Sequence, residues 1–243
     1  VLGDDFLQLL GQAFPDSQGK ENLSLVRREA GDVGIYHVWP SKQQIWFQRH
    51  RSVFGLMDPT WFDRAFWLNA LAPIPGSSAP QVLHLTGITP LISVNTRAAW
   101  SSALETARSL KEDQGTGSEG RLIVTLDLNH RPALGSWPDL WRMVEPHIGT
   151  LDLLVFSIGD VIQVAGQFEA PFADAIKELK VKGPAGLAGG PALDACVREA
   201  IRSAQTLLGN GCSLAVTCKV RQPDPSNADG LPRQLRWSVV CLK

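Results

Sequence analysis

An α/β fold is what this sequence predicts: a mainly parallel sheet flanked by helices, with a small β-hairpin projecting from it. Three observations carry that expectation. From about residue 80, strand-like and helix-like runs take turns, which is the rhythm of βα units. The runs 122–128 (LIVTLDL) and 151–156 (LDLLVF) are nearly continuously apolar, as strands covered on both faces are. Earlier, the β-rich runs 33–39 (VGIYHVW) and 44–50 (QIWFQRH) flank Pro40-Ser41-Lys42-Gln43, which reads as a turn.

Taken in order after that hairpin, Asp58–Leu71 reads as a helix, Val82–Leu85 as a strand and Val94–Lys111 as a helix. The strand Leu122–Leu128 follows, then a helix over Trp137–His147 and the strand Leu151–Phe156. Helices are expected at Phe172–Leu179 and Ala192–Leu208, and a strand at Ser213–Val220. Pro- and Gly-rich composition marks 72–80, 112–120, 182–191 and 221–232 as surface loops between elements, not as domain linkers.

Composition narrows the function classes. Lys and Arg number 23 against 24 Asp and Glu, so the chain lacks the basic excess that neutralises phosphates along a duplex, and no nucleic-acid partner is expected. With 44% of its 243 residues hydrophobic, it can enclose one large core. Cys196, Cys212, Cys218 and Cys241 form no C-x-x-C pair and have no His at ligand spacing. Neither a zinc site nor a disulfide framework is expected, and a reducing soluble compartment, cytoplasmic or organellar, fits. No apolar run approaches 18 residues, so no membrane span is expected. The chain opens on Val-Leu-Gly-Asp-Asp without Met or leader and ends on the strand-like RWSVVCLK. It is therefore expected to be the middle of a longer protein.

The most specific stretch is Leu126-Asp127-Leu128-Asn129-His130-Arg131-Pro132. On a strand, Asp127, Asn129 and Arg131 share one face, and Arg131 falls where the strand gives way to a Pro-led loop. That is the carboxyl end, where open parallel sheets bind ligands. A guanidinium there can hold a carboxylate in a bidentate grip. Asp127 and Asn129 either serve the same site or satisfy loop backbone groups beneath it.

Around this stretch stand Gly3-Asp4-Asp5, Gly34-Ile35-Tyr36, Trp46-Phe47-Gln48-Arg49-His50-Arg51-Ser52 and His84-Leu85-Thr86-Gly87-Ile88. In this order and at these separations, the set resembles the ribokinase-like (PfkB) carbohydrate kinases, most specifically the 2-keto-3-deoxygluconate kinases, over residues 1 to about 220. The resemblance implies a ribokinase-like fold and one partial kinase domain over 1–243, with 33–52 as a β-hairpin lid. It implies a sugar kinase that moves the γ-phosphate of ATP, with Mg²⁺, onto a hydroxyl of a sugar or sugar acid such as 2-keto-3-deoxygluconate. Arg49, Arg131, Tyr36, Phe47 and Ile88 match substrate positions, Thr217 and Lys219 nucleotide positions, and Asp160 a magnesium-organising position. A homodimer through the lid is also implied. The substrate matches have plainer readings beside them: Arg131 as a surface salt bridge, Arg49 as a solvated edge charge, Tyr36 and Phe47 as packing aromatics, Ile88 as a buried apolar residue.

The sequence also departs from the family. Ser157-Ile158-Gly159-Asp160 stands where the family has N-x-x-E, and these residues either organise metal and phosphate or simply cap the next helix. After Leu214–Lys219 no Gly follows promptly, so the close backbone approach to ATP that a Gly permits is not visible. The G-A-G-D that supplies the family's base and anion hole at a helix start is absent, and Ala30-Gly31-Asp32 precedes a hairpin, not a helix. No G-x-x-x-x-G-K-[ST] replaces it. An inactive kinase-like protein that binds a sugar or nucleotide is therefore the alternative reading, and a binding module of the same fold without chemistry a third. Residues 1–243 alone are expected to transfer no phosphate, since proton transfer and charge stabilisation are each worth a factor of about 10² or more. A coupled ATPase and sugar-phosphorylation assay checks this; robust turnover would make Asp4, Asp5, Asp127 or Asp160 an unrecognised base.

Overall fold

The strands align as a five-stranded sheet in the order β3-β4-β5-β6-β7. They are β3 (Gln81–Thr86), β4 (Leu122–Asp127), β5 (Leu153–Ser157), β6 (Ser213–Gln222) and β7 (Gln234–Leu242). The first four run parallel and β7 pairs antiparallel with β6, so the expected mainly parallel sheet is present with one reversed edge. The computed structural model describes residues 2–13, 26–42, 44–73, 77–114, 121–157, 160, 212–222 and 234–242. The helices expected at 172–179 and 192–208 and the loop at 182–191 lie outside them.

A separate two-stranded antiparallel sheet joins β1 (Ile35–Trp39) to β2 (Gln44–Gln48), the expected hairpin. A single 3₁₀ turn over Pro40–Lys42 begins its connection. Helix α1 (Leu2–Ala13) carries Gly3-Asp4-Asp5 in its first turn. The remaining helices are α2 (Arg64–Ala70), the short α3 (Thr89–Ile92), α4 (Val94–Gln114) and α5 (Trp137–Val144). Among the described residues, no helix is long and apolar enough to cross a membrane.

Two expected helices are shorter than their sequence runs, for local reasons. Over 58–71, a 3₁₀ turn at Pro59–Phe62 is capped by Asp58, and Asp63, in extended conformation, then caps α2 by accepting from the Phe66 N–H at 2.8 Å. Two acceptors at successive caps make two starts. Over 137–147, α5 stops at Val144 because Pro146 has no N–H to continue the ladder, and a 3₁₀ turn at Glu145–Thr150 takes over. β6 continues through Arg221 and Gln222, expected as loop, because both pair with β7. α3 was not expected from the sequence.

The core forms where α4 and α5 meet the sheet. Trp100, Ala103, Leu104 and Ala107 recur at helical spacing on α4, and Trp137, Leu140 and Val144 on α5. They pack with Leu122, Val124 and Leu126 of β4, Leu154 and Phe156 of β5, and Leu214 and Val216 of β6, all buried. Along β4 these alternate with half-buried Ile123, Thr125 and Asp127, so the continuous apolar run serves one tightly covered face and one more open face.

One carboxylate ties the layers together. Asp152 accepts from Lys111 Nζ of α4 at 2.7 Å, from Arg121 at 2.6 Å and from the Val124 N–H at 2.8 Å. Its own N–H donates to Val124 O, and its carbonyl accepts from the Ser213 N–H, both at 2.8 Å. Burial alone would push its carboxyl up, but the hydrogen bonds from Lys111, Val124 and Arg121 more than offset this and hold it below the ordinary carboxylate value. Asp152→Ala is expected to lower unfolding free energy by about 2–4 kcal/mol, since it strands a half-buried ammonium and an amide. The wild-type advantage should persist above the ordinary value of 3.8 and fade as pH falls below it. Urea denaturation of both proteins across pH checks this; equal midpoints at neutral pH would sink it.

Candidate functional site

The carboxyl ends of three neighbouring strands form a shelf. Thr86 pairs with Asp127, and Asp127 with Val155, so the carboxyl ends of β3, β4 and β5 stand side by side. Gly87 is required there. Its N–H donates to Asp127 O at 2.8 Å, and a Cβ at this position would lie 2.3 Å from Leu128 O and 3.1 Å from Leu128 C. Ile88 follows, half-buried, with its N–H on Thr86 Oγ1 at 3.3 Å, and begins the turn into α3.

Beyond β4 the chain turns sharply. Asn129 has φ +43°, a left-handed conformation that Asn tolerates better than most residues. Its N–H bonds to the Asp127 carboxylate. Arg131 is exposed, and its carbonyl closes a turn by accepting from the Leu134 N–H at 2.9 Å. His130 Nε2 meets Gly135 O at 3.0 Å, and the His130 ring sits edge-on to Trp137, which fastens the loop to α5.

Asp127 is the electrostatic centre of the shelf. Burial raises its carboxyl above the usual range, the charge of Asp160 raises it further, and the Asn129 N–H, His84 and Arg131 pull the other way. Asp127 thus lies between a like charge from β5 and an opposite charge from its own loop. Sequence reading named Asp127, Asp160 and Arg131 but did not pair the two aspartates.

At the end of β5, Asp160 is buried and its Oδ2 accepts from the Ser157 N–H at 2.8 Å and from Ser157 Oγ at 2.6 Å. Its N–H returns a bond to Ser157 Oγ at 3.2 Å. This reciprocal exchange is a helix-start cap, one of the two readings open from sequence. Among the described residues no group of three or more His, Cys, Asp or Glu could hold a metal ion. Two neighbouring carboxylates nonetheless suit Mg²⁺, which is often held by one or two carboxylates together with substrate phosphates.

On the hairpin, Tyr36 and Phe47 are direct cross-strand partners with ring centroids 6.1 Å apart. Arg49, two residues beyond Phe47, lies 4.2 Å over that ring. The three hairpin residues therefore share one face. No hydrogen bond, ion pair or ring contact among the described residues joins this group to Arg131. On β6, Thr217 stands opposite Ser157, and its Oγ1 donates to Phe156 O at 3.3 Å. Lys219, in the same strand, pairs with Trp237 of β7. A cavity of about 830 Å³ lies at the base of the hairpin between α1, residues 26–34 and residues 52–62. No residue assigned to sugar or nucleotide lines it.

No protein-family model matches the sequence, and no curated protein matches it. Among solved structures it is similar to 2-dehydro-3-deoxygluconokinase from Thermotoga maritima, at a TM-score of 0.51 and 17% identity, over 82% of this chain and 46% of that one. A PfkB protein from Polaromonas sp. matches at a TM-score of 0.41 and 18% identity, over 72% of this chain and 43% of that one. A fructokinase with bound ATP from Xylella fastidiosa matches at 0.43 and 16%, over 88% and 52%. The chain spans about half the length of the solved structures it matches. With the parallel sheet, its covering helices and the projecting hairpin, the Thermotoga likeness identifies the architecture: this chain has the ribokinase-like α/β fold of the PfkB carbohydrate kinases.

Proposed function

We propose that the chain is part of a carbohydrate kinase domain whose substrate is a sugar acid of the 2-keto-3-deoxygluconate kind. The observation that carries this reading is Arg131, exposed on the Pro-led loop at the carboxyl end of β4, beside Asp127 and the Gly87-Ile88 turn. A parallel sheet offers ligands that end of its strands, and a guanidinium there suits a carboxylate better than a neutral hydroxyl.

In this reading residues 33–52 are the lid, with Arg49 as the second cation and Tyr36 and Phe47 as the apolar cover over the sugar. Ile88 is the apolar wall. The raised Asp127 and the loop bonds of Asn129 hold the Arg131 loop in place. ATP lies toward β6, with Thr217 and Lys219 as its nearest candidates. A Mg²⁺ ion brought with ATP would be held near Asp160 and Asp127 and would supply neutralisation of phosphate charge. The base and the anion hole do not come from this chain, because no G-A-G-D occurs in it.

The alternative is an inactive kinase-like protein that binds a sugar or nucleotide. The observation that favours it is Asp160, whose carboxylate is already committed to capping Ser157.

The lid also has a candidate partner. Tyr36, Val38, Trp39, Trp46 and Phe47 are all exposed, although an isolated two-stranded hairpin is only marginally stable in water. We assign that partner to the hairpin of a second copy. Trp46→Glu is then expected to shift a sedimenting dimer to monomer, and a wild-type chain that is monomeric at micromolar concentration would remove the proposal.

For the substrate, Arg131→Ala is expected to weaken binding of 2-keto-3-deoxygluconate by about 10- to 100-fold, the worth of a charge-assisted bidentate bond. Calorimetry on the chain, and on any longer protein that contains it, checks this. Unchanged affinity would sink the sugar-acid assignment, while leaving the fold as it stands.

A further inference from the structure

A second concave site lies apart from the sugar-facing shelf. A cavity of about 290 Å³ opens where α3 contributes Leu91, α4 Arg97, the loop before α5 Gly135, and α5 Asp139, Arg142 and Met143. No residue assigned above to sugar, nucleotide or magnesium lines it.

Its charge is unbalanced in a definite sense. Arg97 donates through Nε to Pro90 O at 3.2 Å, which anchors the side chain to α3, and its two terminal nitrogens have no partner among the described residues. Arg142 gives one terminal nitrogen to Asp139 Oδ1 at 2.6 Å, and its other donors have none. The Asp139 carboxylate is doubly occupied, since Ser136 Oγ also donates to it. Two guanidinium groups against one carboxylate leave one positive charge in excess at a small space lined by two different helices. One guanidinium fork satisfies a carboxylate, whereas a tetrahedral oxyanion offers acceptors in several directions and suits two forks that approach from separate elements. Leu91 and Met143 border the cavity with apolar surface, while Arg97 and Arg142 are both exposed to solvent. The volume leaves room for a phosphate and a few carbon atoms beside it.

We propose that this cavity binds a phosphate group, free or as the ester of a small molecule, held between Arg97 and Arg142. The wall is built closely enough to respond: a Cβ at Gly135 would lie 3.0 Å from Leu91 Cδ2, and the same loop begins at Arg131, which accepts from the Leu134 N–H. The binding itself does not depend on the role given to Arg131.

The test is a titration of the chain with inorganic phosphate at constant ionic strength, read as ³¹P line broadening and as a rise in thermal stability. Saturable binding is expected, weakened about tenfold or more in Arg97→Ala and in Arg142→Ala, each the loss of a charge-assisted contact. Arg64→Ala removes an exposed arginine of α2 that does not line the cavity and should change nothing. Thermal melts without phosphate establish that each variant is folded. A parallel titration with glycerol 3-phosphate separates the sources: tighter binding assigns the site to phosphate esters, weaker binding to free phosphate. A response that does not saturate, or one that chloride reproduces, or one that survives in folded Arg97→Ala, overturns the proposal.

Discussion

The Asp152 carboxylate, met at once by an ammonium, a guanidinium and a backbone amide, is the constraint on which the arrangement of the chain rests. It stands just before β5, and through backbone and side chain together it sets β5 against β4 and β6 against β5. Lys111 brings the last turn of α4 to the same point, and its Nζ also reaches Thr150 O. A parallel sheet has no tight turn to set its register, so a fixed polar junction at the amino ends of its strands does that work. A slip of one residue would turn Val124 and Leu126 away from Trp100 and Leu104. Everything at the opposite ends of those strands inherits its position from this junction.

At those opposite ends the chemistry is a balance of charges. Asp127 is half-buried, close to Asp160 and to Arg131, and the two neighbours act on it in opposite directions. Such a carboxylate is sensitive to whatever occupies the shelf: a cation would lower its energy, and removal of Arg131 would raise it. The buried Asp160 escapes part of this tension by bonding to Ser157, which makes it at once a structural cap and a neighbouring charge. The hairpin side chains lie outside this balance, with Arg49 stacked over Phe47 and the Tyr36 and Phe47 rings exposed.

Much of this was legible in the sequence, and the limits have physical reasons. The strands were visible because buried parallel strands leave long apolar runs, and the hairpin because β-rich runs flanked a Pro-led turn. Helix ends were misplaced at 62–63 and at 144–146, although Asp63 and Pro146 are signals that a closer reading of cap and breaker chemistry would catch. α3 is too short to show a period. The Asp127–Arg131 stretch was recognisable as a site because its residues alternate on a strand and end in a loop. The pairing of Asp127 with Asp160 was not, because it depends on register between strands far apart in the chain. Arg97 and Arg142 stand on two helices far apart in the chain, so their sharing of one cavity is likewise set by the fold. Gly87 could be seen as a glycine after a strand, but its necessity lies in the approach of Leu128, which only the folded chain creates.

That approach has a mechanical consequence. With Gly87 pressed against Leu128 and bonded to Asp127 O, the turns after β3 and β4 are one rigid body, and Ile88 cannot recede from the Asn129–Arg131 loop without breaking the sheet end. Among the described residues the hairpin pairs only within its own two-stranded sheet, so this close approach does not hold it. Over evolutionary time the two parts should then diverge at different rates. The floor tolerates few changes, each needing a matched change opposite, while the hairpin can vary in length and side chains.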